Sequence, residues 1–257
     1  TTVSEQFNAE ELTAFINKCL TPMTDIIMAR NGTIDEYMGD CIMAFWNAPL
    51  DDKSHADHGV ESAMAMMARL KPLNEEIKAE ADAEGRKFIP LAIGIGLNTG
   101  VVCVGNMGSD QRFDYSVLGD DVNLAARLEG QSKTYGVDIV IGANTLEQLT
   151  DKATLELDLL QVKGKIEPVR IHCVAGGKDL LESEKFRPLR ETHDKMLAAY
   201  AGQRWDEAFE LLDQGRKDKV DVIDLTVLYE LYDERLTNFK ANPPGEDWDG
   251  VFISTSK

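Results

Sequence analysis

The chain is poor in the residues that would mark it as secreted, membrane-bound or polyanion-binding. It has four cysteines in 257 residues. Cys19, Cys41, Cys103 and Cys173 stand singly in apolar patterns with no C-x-x-C pair, and read as buried thiols of a reducing compartment. No apolar run approaches the roughly 18 residues of a membrane span, and the opening residues present are not expected to be a signal peptide. Basic residues are scarce, with 27 Lys and Arg against 45 Asp and Glu and a net charge of −18. Such a chain does not hold nucleic acid or an anionic membrane by bulk electrostatics. Disorder is excluded too, because 43% of residues are apolar and a core can be built. The length allows one ordinary domain and an extension.

The stretch Phe113–Arg127 is the most informative one present. It ends in Asn123 and Arg127, four apart on the first turns of a helix, which stacks an amide and a fixed cation on one face. An amide that orients a hydroxyl beside a guanidinium that clamps a phosphoryl group suits phosphoryl or nucleotidyl transfer. Alone, the pair reads equally as a solvated face. Upstream, Gly32–Trp46 reads as a hairpin turning at Gly39-Asp40, where Asp40 alone is a routine turn residue. Leu91–Gly108 reads as strand, Thr-Gly turn and strand, with glycines where a backbone or ligand comes close. Val162-Lys163-Gly164-Lys165 is a short basic turn before a strand.

Taken in this order and spacing, the four segments resemble the catalytic domain of class III nucleotidyl cyclases, in a bacterial flavour. The resemblance covers residues 1–176. It implies that Asp40 is one of two metal-holding aspartates, that Asn123 and Arg127 position the ribose and stabilise the transition state, and that Lys163 binds the triphosphate. Glu36 and Ser116 fall where the purine edge is read. It further implies two Mg²⁺ or Mn²⁺ ions per site and a head-to-tail homodimer. Asp40 then comes from one subunit, and the base readers, Asn123, Arg127 and Lys163 from the other. The ribose 3′-oxygen attacks the α-phosphorus and expels pyrophosphate, while the metals lower the cost of the alkoxide.

Two departures from the pattern stand out. The family's leading strand, with the first metal aspartate, would fall before Thr1-Thr2-Val3-Ser4-Glu5, so the sequence carries one metal carboxylate per site. Glu36 stands where ATP users place a lysine, and a carboxylate accepts from guanine N1–H and its amine. Ser116 both donates and accepts, so it can face guanine O6 or the adenine amine. The chemistry leans to GTP and the bacterial pattern to ATP, which places GTP slightly ahead. A shielded, exposed hairpin carboxylate remains the plain alternative for Glu36. A catalytically silent cyclase-homology module binding a nucleotide or a partner is the alternative for the whole. A diguanylate cyclase would need a Gly-Gly-Asp/Glu-Glu-Phe turn, which is absent.

Arg127, Lys163, Lys165 and Arg170 are the cations that would gather an anionic nucleotide in this acidic chain. His55 and His58, beside Asp51, Asp52 and Asp57, read as a polar helix entry rather than a metal site. Met64, Met66 and Met67 read as helix core.

The patterning predicts an α/β chain of α+β sandwich type, with a mixed, mostly antiparallel sheet flanked by helices and a C-terminal helical extension. Helices are expected over 8–30 (Pro22 marking a kink or break), 54–83, 121–133 and 143–150. The hairpin spans 33–47, and strands are expected at 89–97, 101–106, 115–118, 137–141, 155–162 and 168–175. Lys178–Glu184 reads as a charged linker. Residues 185–257 read as a separate helical extension with helices at 192–200, 206–212 and 225–240. Around Gly202-Gln203-Arg204-Trp205 it resembles one helix pair of a tetratricopeptide repeat, which cannot bury its own apolar face and should dock on the cyclase or a partner. Trp248 and Phe252 are candidate anchors of an extended tail. The expected location is cytoplasmic, as a domain of a soluble or membrane-anchored parent, with no membrane contact of its own.

Overall fold

The fold was obtained as a computed structural model that describes residues 7–161, 167–218 and 223–253. Along the chain run α1 (Ala9–Met28), β1 (Thr33–Met38), β2 (Cys41–Phe45), α2 (His55–Ala83), β3 (Ile95–Leu97), β4 (Cys103–Ser109) and β5 (Arg112–Leu118). Next come α3 (Asp120–Tyr135), β6 (Ile139–Gly142), α4 (Ala143–Leu146), β7 (Ala153–Gln161) and β8 (Val169–Gly176). The chain ends in α5 (Lys178–Leu181), α6 (Phe186–Ala201), α7 (Trp205–Lys217), α8 (Thr226–Ala241) and β9 (Phe252–Ile253). This is a mixed α+β fold with antiparallel and mixed sheets. The chain divides into two compact units, Thr1–Ile93 with Val101–Gly119, and Gly94–Gly100 with Asp120–Lys257.

In the first unit α1 starts at a full capping box. The Asn8 side chain accepts from the Glu10 and Glu11 amides, and Glu11 reaches back to the Asn8 amide, so orphan donors are satisfied reciprocally. The helix runs unbroken through Pro22. Its Met23 packs with Leu70, Leu73 and Ile77 of α2, and Cys19, Met66 and Met67 lie at the edge of that cluster. Burial pushes the Cys19 thiol up to about 11. Two antiparallel hairpins, β1–β2 and β4–β5, complete the unit. Trp46 closes the first by donating its indole N–H to the Arg30 carbonyl at 2.9 Å. The second is longer than its sequence suggested, pairing Cys103 with Leu118 through to Ser109 with Arg112.

The second unit is built on one five-stranded sheet in the order β3-β6-β8-β7-β9. β3–β6 and β7–β9 pair in parallel, and β6–β8 and β7–β8 antiparallel. A single apolar cluster joins Leu124 and Leu128 of α3, Leu155 and Ile171 of the sheet, and Phe186, Met196, Leu212, Leu228 and Tyr232 of the C-terminal helices. The helix pair α6–α7 therefore covers its apolar face with the chain's own sheet. Where a charged linker was expected, residues 178–181 form the short helix α5. Trp248 anchors the tail, its ring 5.2 Å from those of Tyr200 and Phe239, and Phe252 pairs beside Leu160.

The cysteines correct one expectation. Cys173 is buried and burial raises its thiol to about 12, but Cys41 and Cys103 are exposed. Both open strands of two-stranded hairpins, where an apolar-looking pattern does not guarantee a covered face.

Candidate active site

Hairpin β1–β2 holds the first group of residues. Its turn is Gly39-Asp40, with Gly39 at φ 66°. A Cβ there would meet nothing, so backbone conformation rather than space selects glycine. Asp40 follows it, exposed at the tip.

The register of the hairpin carries more information than its sequence. Ile34 pairs with Ala44 but Glu36 pairs with Met43, so Asp35 is an inserted residue in a β-bulge. In an unbroken strand Asp35 and Glu36 would point to opposite faces. The insertion reverses the alternation beyond it and brings both onto the Met43 side. Ser116 of β5 donates its hydroxyl to the Asp35 carboxylate at 3.2 Å. Asp35 and Ser116 are half-buried and Glu36 is exposed. Sequence reasoning named Glu36 and Ser116 and missed Asp35, because a one-residue bulge leaves no mark in the apolar pattern. The residue's only signal was a second carboxylate beside Glu36.

Helix α3 carries the second group. Leu124, Leu128, Ser132 and Tyr135 are buried at helical spacing. That leaves Asn123 exposed and Arg127 half-buried one turn apart on the neighbouring face. The helix is held by backbone approach to β3. A Cβ on Gly96 would lie 2.2 Å from the Glu129 amide nitrogen and 2.3 Å from the Ala125 carbonyl oxygen, and one on Gly94 2.1 Å from the Ser132 hydroxyl. Gly96 thus admits another backbone, one of the two uses the glycine spacing suggested, and Gly94 admits the Ser132 side chain. At the helix start, Asn98 donates to the Asp121 carboxylate at 3.0 Å and to its carbonyl at 3.3 Å. Asp120 and Asp121 occupy the first turn, where the positive end of the helix dipole favours them.

Glu36, Asp40 and Ser116 thus belong to the first unit, and Asn123 and Arg127 to the second. Lys163 and Lys165 lie outside the described residues. Arg170, considered as a nucleotide-facing cation, is paired with Glu156. It lines a cavity of about 340 Å³ with His172, Arg190 and Asp194, and none of Glu36, Asp40, Ser116, Asn123 and Arg127 lines that cavity. His58 is bound through Nδ1 to the Asp52 carboxylate at 2.6 Å, as expected of a polar helix entry. The described residues contain no group of three or more His, Cys, Asp or Glu able to hold a metal. Asp40 by itself offers one hard oxygen donor, which fits a Mg²⁺ or Mn²⁺ ion drawing its other ligands from phosphates and water. A second ion needs a further carboxylate that these residues do not assign. No helix among the described residues is long and apolar enough to cross a membrane.

Comparison with known proteins identifies the family. The family model of the adenylate and guanylate cyclase catalytic domain matches residues 1–176. Adenylate cyclase 1 of Rhizobium meliloti is 33% identical over 177 residues, 68% of this chain and 26% of that protein. An adenylate cyclase of Anabaena cylindrica is 34% identical over 179 residues, 68% of this chain and 34% of that protein. The chain therefore spans a quarter to a third of these relatives' length. Among solved structures, the guanylyl cyclase Cya2 superposes with a TM-score of 0.58 at 37% identity, covering 68% of this chain and 86% of that one. The adenylyl cyclase CyaB from P. aeruginosa gives 0.58 at 35% identity, covering 67% and 86%. The chain belongs to the adenylate and guanylate cyclase family of phosphorus–oxygen lyases, whose catalytic domains bind nucleoside triphosphates, generally use a divalent metal and often dimerise.

Proposed function

We propose that this chain cyclises a purine nucleoside triphosphate to its 3′,5′-cyclic monophosphate and pyrophosphate, at sites shared by two copies of the chain. The observation that carries the reading is the pair Asn123 and Arg127, one turn apart on a helix held by backbone contact with β3. A rigid mount matters because cyclisation is mostly positioning and charge stabilisation. Residues 1–176 form the catalytic domain in this reading, and residues 185–257 an extension.

Each side chain has a task its chemistry suits. Asn123 orients the ribose so that the 3′-oxygen approaches the α-phosphorus in line. Arg127 meets the charge that builds on the equatorial oxygens, and a planar guanidinium does this with a fixed fork that lysine lacks. Lys163 needs only a point charge to hold the triphosphate tail. Glu36 accepts from the N1 edge of guanine, which places GTP slightly ahead of ATP, and Ser116 faces the purine 6-position. Asp40 would hold divalent metal, Mg²⁺ or Mn²⁺, of which the reading expects two per site. Bound metal would supply charge neutralisation at the attacking and leaving oxygens. Asp40 from one copy completes the site whose other residues come from its partner.

The test is product formation by the full-length protein with Mn²⁺, on GTP and on ATP separately. Arg127→Ala is expected to lower the rate on the order of 10²–10³-fold while leaving the dimer intact by light scattering. A near-normal rate in that variant contradicts the role of Arg127. No product from either nucleotide favours the alternative of a silent cyclase-homology module.

A further inference from the structure

The inserted residue Asp35 bears on which purine the site accepts, a role that rests on the reading of Glu36 and Ser116 as the base-facing pair. A serine hydroxyl has one proton to give and two lone pairs to accept with, whereas a carboxylate only accepts. The Ser116 hydroxyl lies 3.2 Å from the Asp35 carboxylate as its donor. Its single proton is thereby committed within the protein. What Ser116 turns to a ligand is an acceptor.

That commitment alters the match at the 6-position. Guanine presents there a carbonyl oxygen, an acceptor; adenine presents an amine, a donor. A serine free to rotate serves either, but a serine whose proton is held by Asp35 matches adenine and opposes guanine. Glu36, on the same face by virtue of the bulge, is also an acceptor, and at the N1 position it matches guanine and opposes adenine. Each base therefore meets one matched and one mismatched reader.

We propose that Asp35 is a specificity-determining residue, holding Ser116 as an acceptor and so setting the cyclase between GTP and ATP. Asp35 does not itself touch the base. It acts through Ser116, and the bulge is what allows it, because without the insertion Asp35 and Glu36 would lie on opposite faces.

The experiment is the ratio of kcat/KM for GTP to that for ATP, measured on the full-length protein. Asp35→Ala releases the Ser116 proton toward guanine O6. The ratio is expected to rise about tenfold, the equivalent of one matched hydrogen bond. Asp35→Asn keeps the side-chain volume and offers an amide that donates as well as accepts, which frees part of the Ser116 proton, so the ratio should rise in the same direction by a smaller factor. A purely structural role for Asp35 in the hairpin would lower both substrates alike, and an unchanged ratio overturns the proposal. In a Ser116→Ala background the Asp35→Ala change should leave the ratio where it is. A rise there shows that Asp35 does not act through Ser116, and also overturns it. Glu36→Lys separates this inference from the reading beneath it. If that change moves the ratio toward ATP while Asp35→Ala moves nothing, the role of Asp35 fails alone. If neither variant moves it, the base-reading pair fails as well.

Discussion

At the scale of single residues, a buried charged cluster lies on the seam between the sheet and α8. Asp158 in β7 accepts from Arg235 of α8 at 2.6 Å and from the Tyr135 hydroxyl at 2.5 Å. The guanidinium stacks 3.5 Å over the Phe252 ring, and both charged side chains are almost fully buried. Removing one partner strands the other charge in a medium that solvates it poorly. Arg235→Leu is expected to cost about 3–5 kcal/mol, measured by urea unfolding. His172 gives a second expectation. Burial, with the nearby Arg170 and Arg190 cations, lowers its pKa to about 4, and burial lowers that of His193 too. Unfolding lets these imidazoles return toward 6.5 and bind protons that the folded state refuses. Stability is therefore full above about pH 6.5 and is lost as pH falls toward 4. Glu156, whose pKa burial raises, works in the opposite sense. The His172→Phe protein should lose less melting temperature between pH 7 and pH 5 than the native chain. An identical acid slope would mean that His172 does not titrate on unfolding.

At the scale of elements, β3 and α3 form the mount on which Asn123 and Arg127 depend. The close approach allowed by Gly96 leaves no room for a methyl group against the α3 backbone. Gly96→Ala is expected to destabilise the protein by about 1–3 kcal/mol and to lower kcat by displacing the helix. Unchanged stability and turnover would mean that the approach is not needed. Much of this was legible in the sequence. The i, i+4 spacing of Asn123 and Arg127 was read as one face of a helix over 121–133, and Gly39-Asp40 as the hairpin turn. Other features depend on pairing that no local pattern encodes. The bulge at Asp35 is a register event, visible only when Glu36 is seen opposite Met43. Strand β3 is only Ile95–Leu97, although the apolar residues begin several positions earlier. There Leu91 and Ile93 belong to the first unit and pack on its α1–α2 cluster instead of pairing.

At the scale of the whole molecule, the C-terminal helices are not a separate layer of the second unit. Their Phe186, Met196, Leu228 and Tyr232 share one core with α3 and the sheet. His193 meets the Glu156 carbonyl at 2.6 Å, and Tyr232 donates to the Leu157 carbonyl at 2.6 Å. The repeat-like motif told that α6 and α7 would pair and would need a cover. It was silent on which surface provides it, because an amphipathic helix names a face and not its partner. The acidic balance of the chain, by contrast, was fully legible, since net charge follows from composition alone.

The central claim is that two copies complete one another's sites, with Asp40 from one chain serving Arg127 of the other. Mixing full-length Asp40→Ala and Arg127→Ala proteins, each inactive alone, tests it by cyclic-nucleotide formation. Random pairing leaves one intact site in each mixed dimer, so about a quarter of the native rate should return. A mixture that makes no more product than its two inactive components, while the mixed dimer is present, contradicts the shared site.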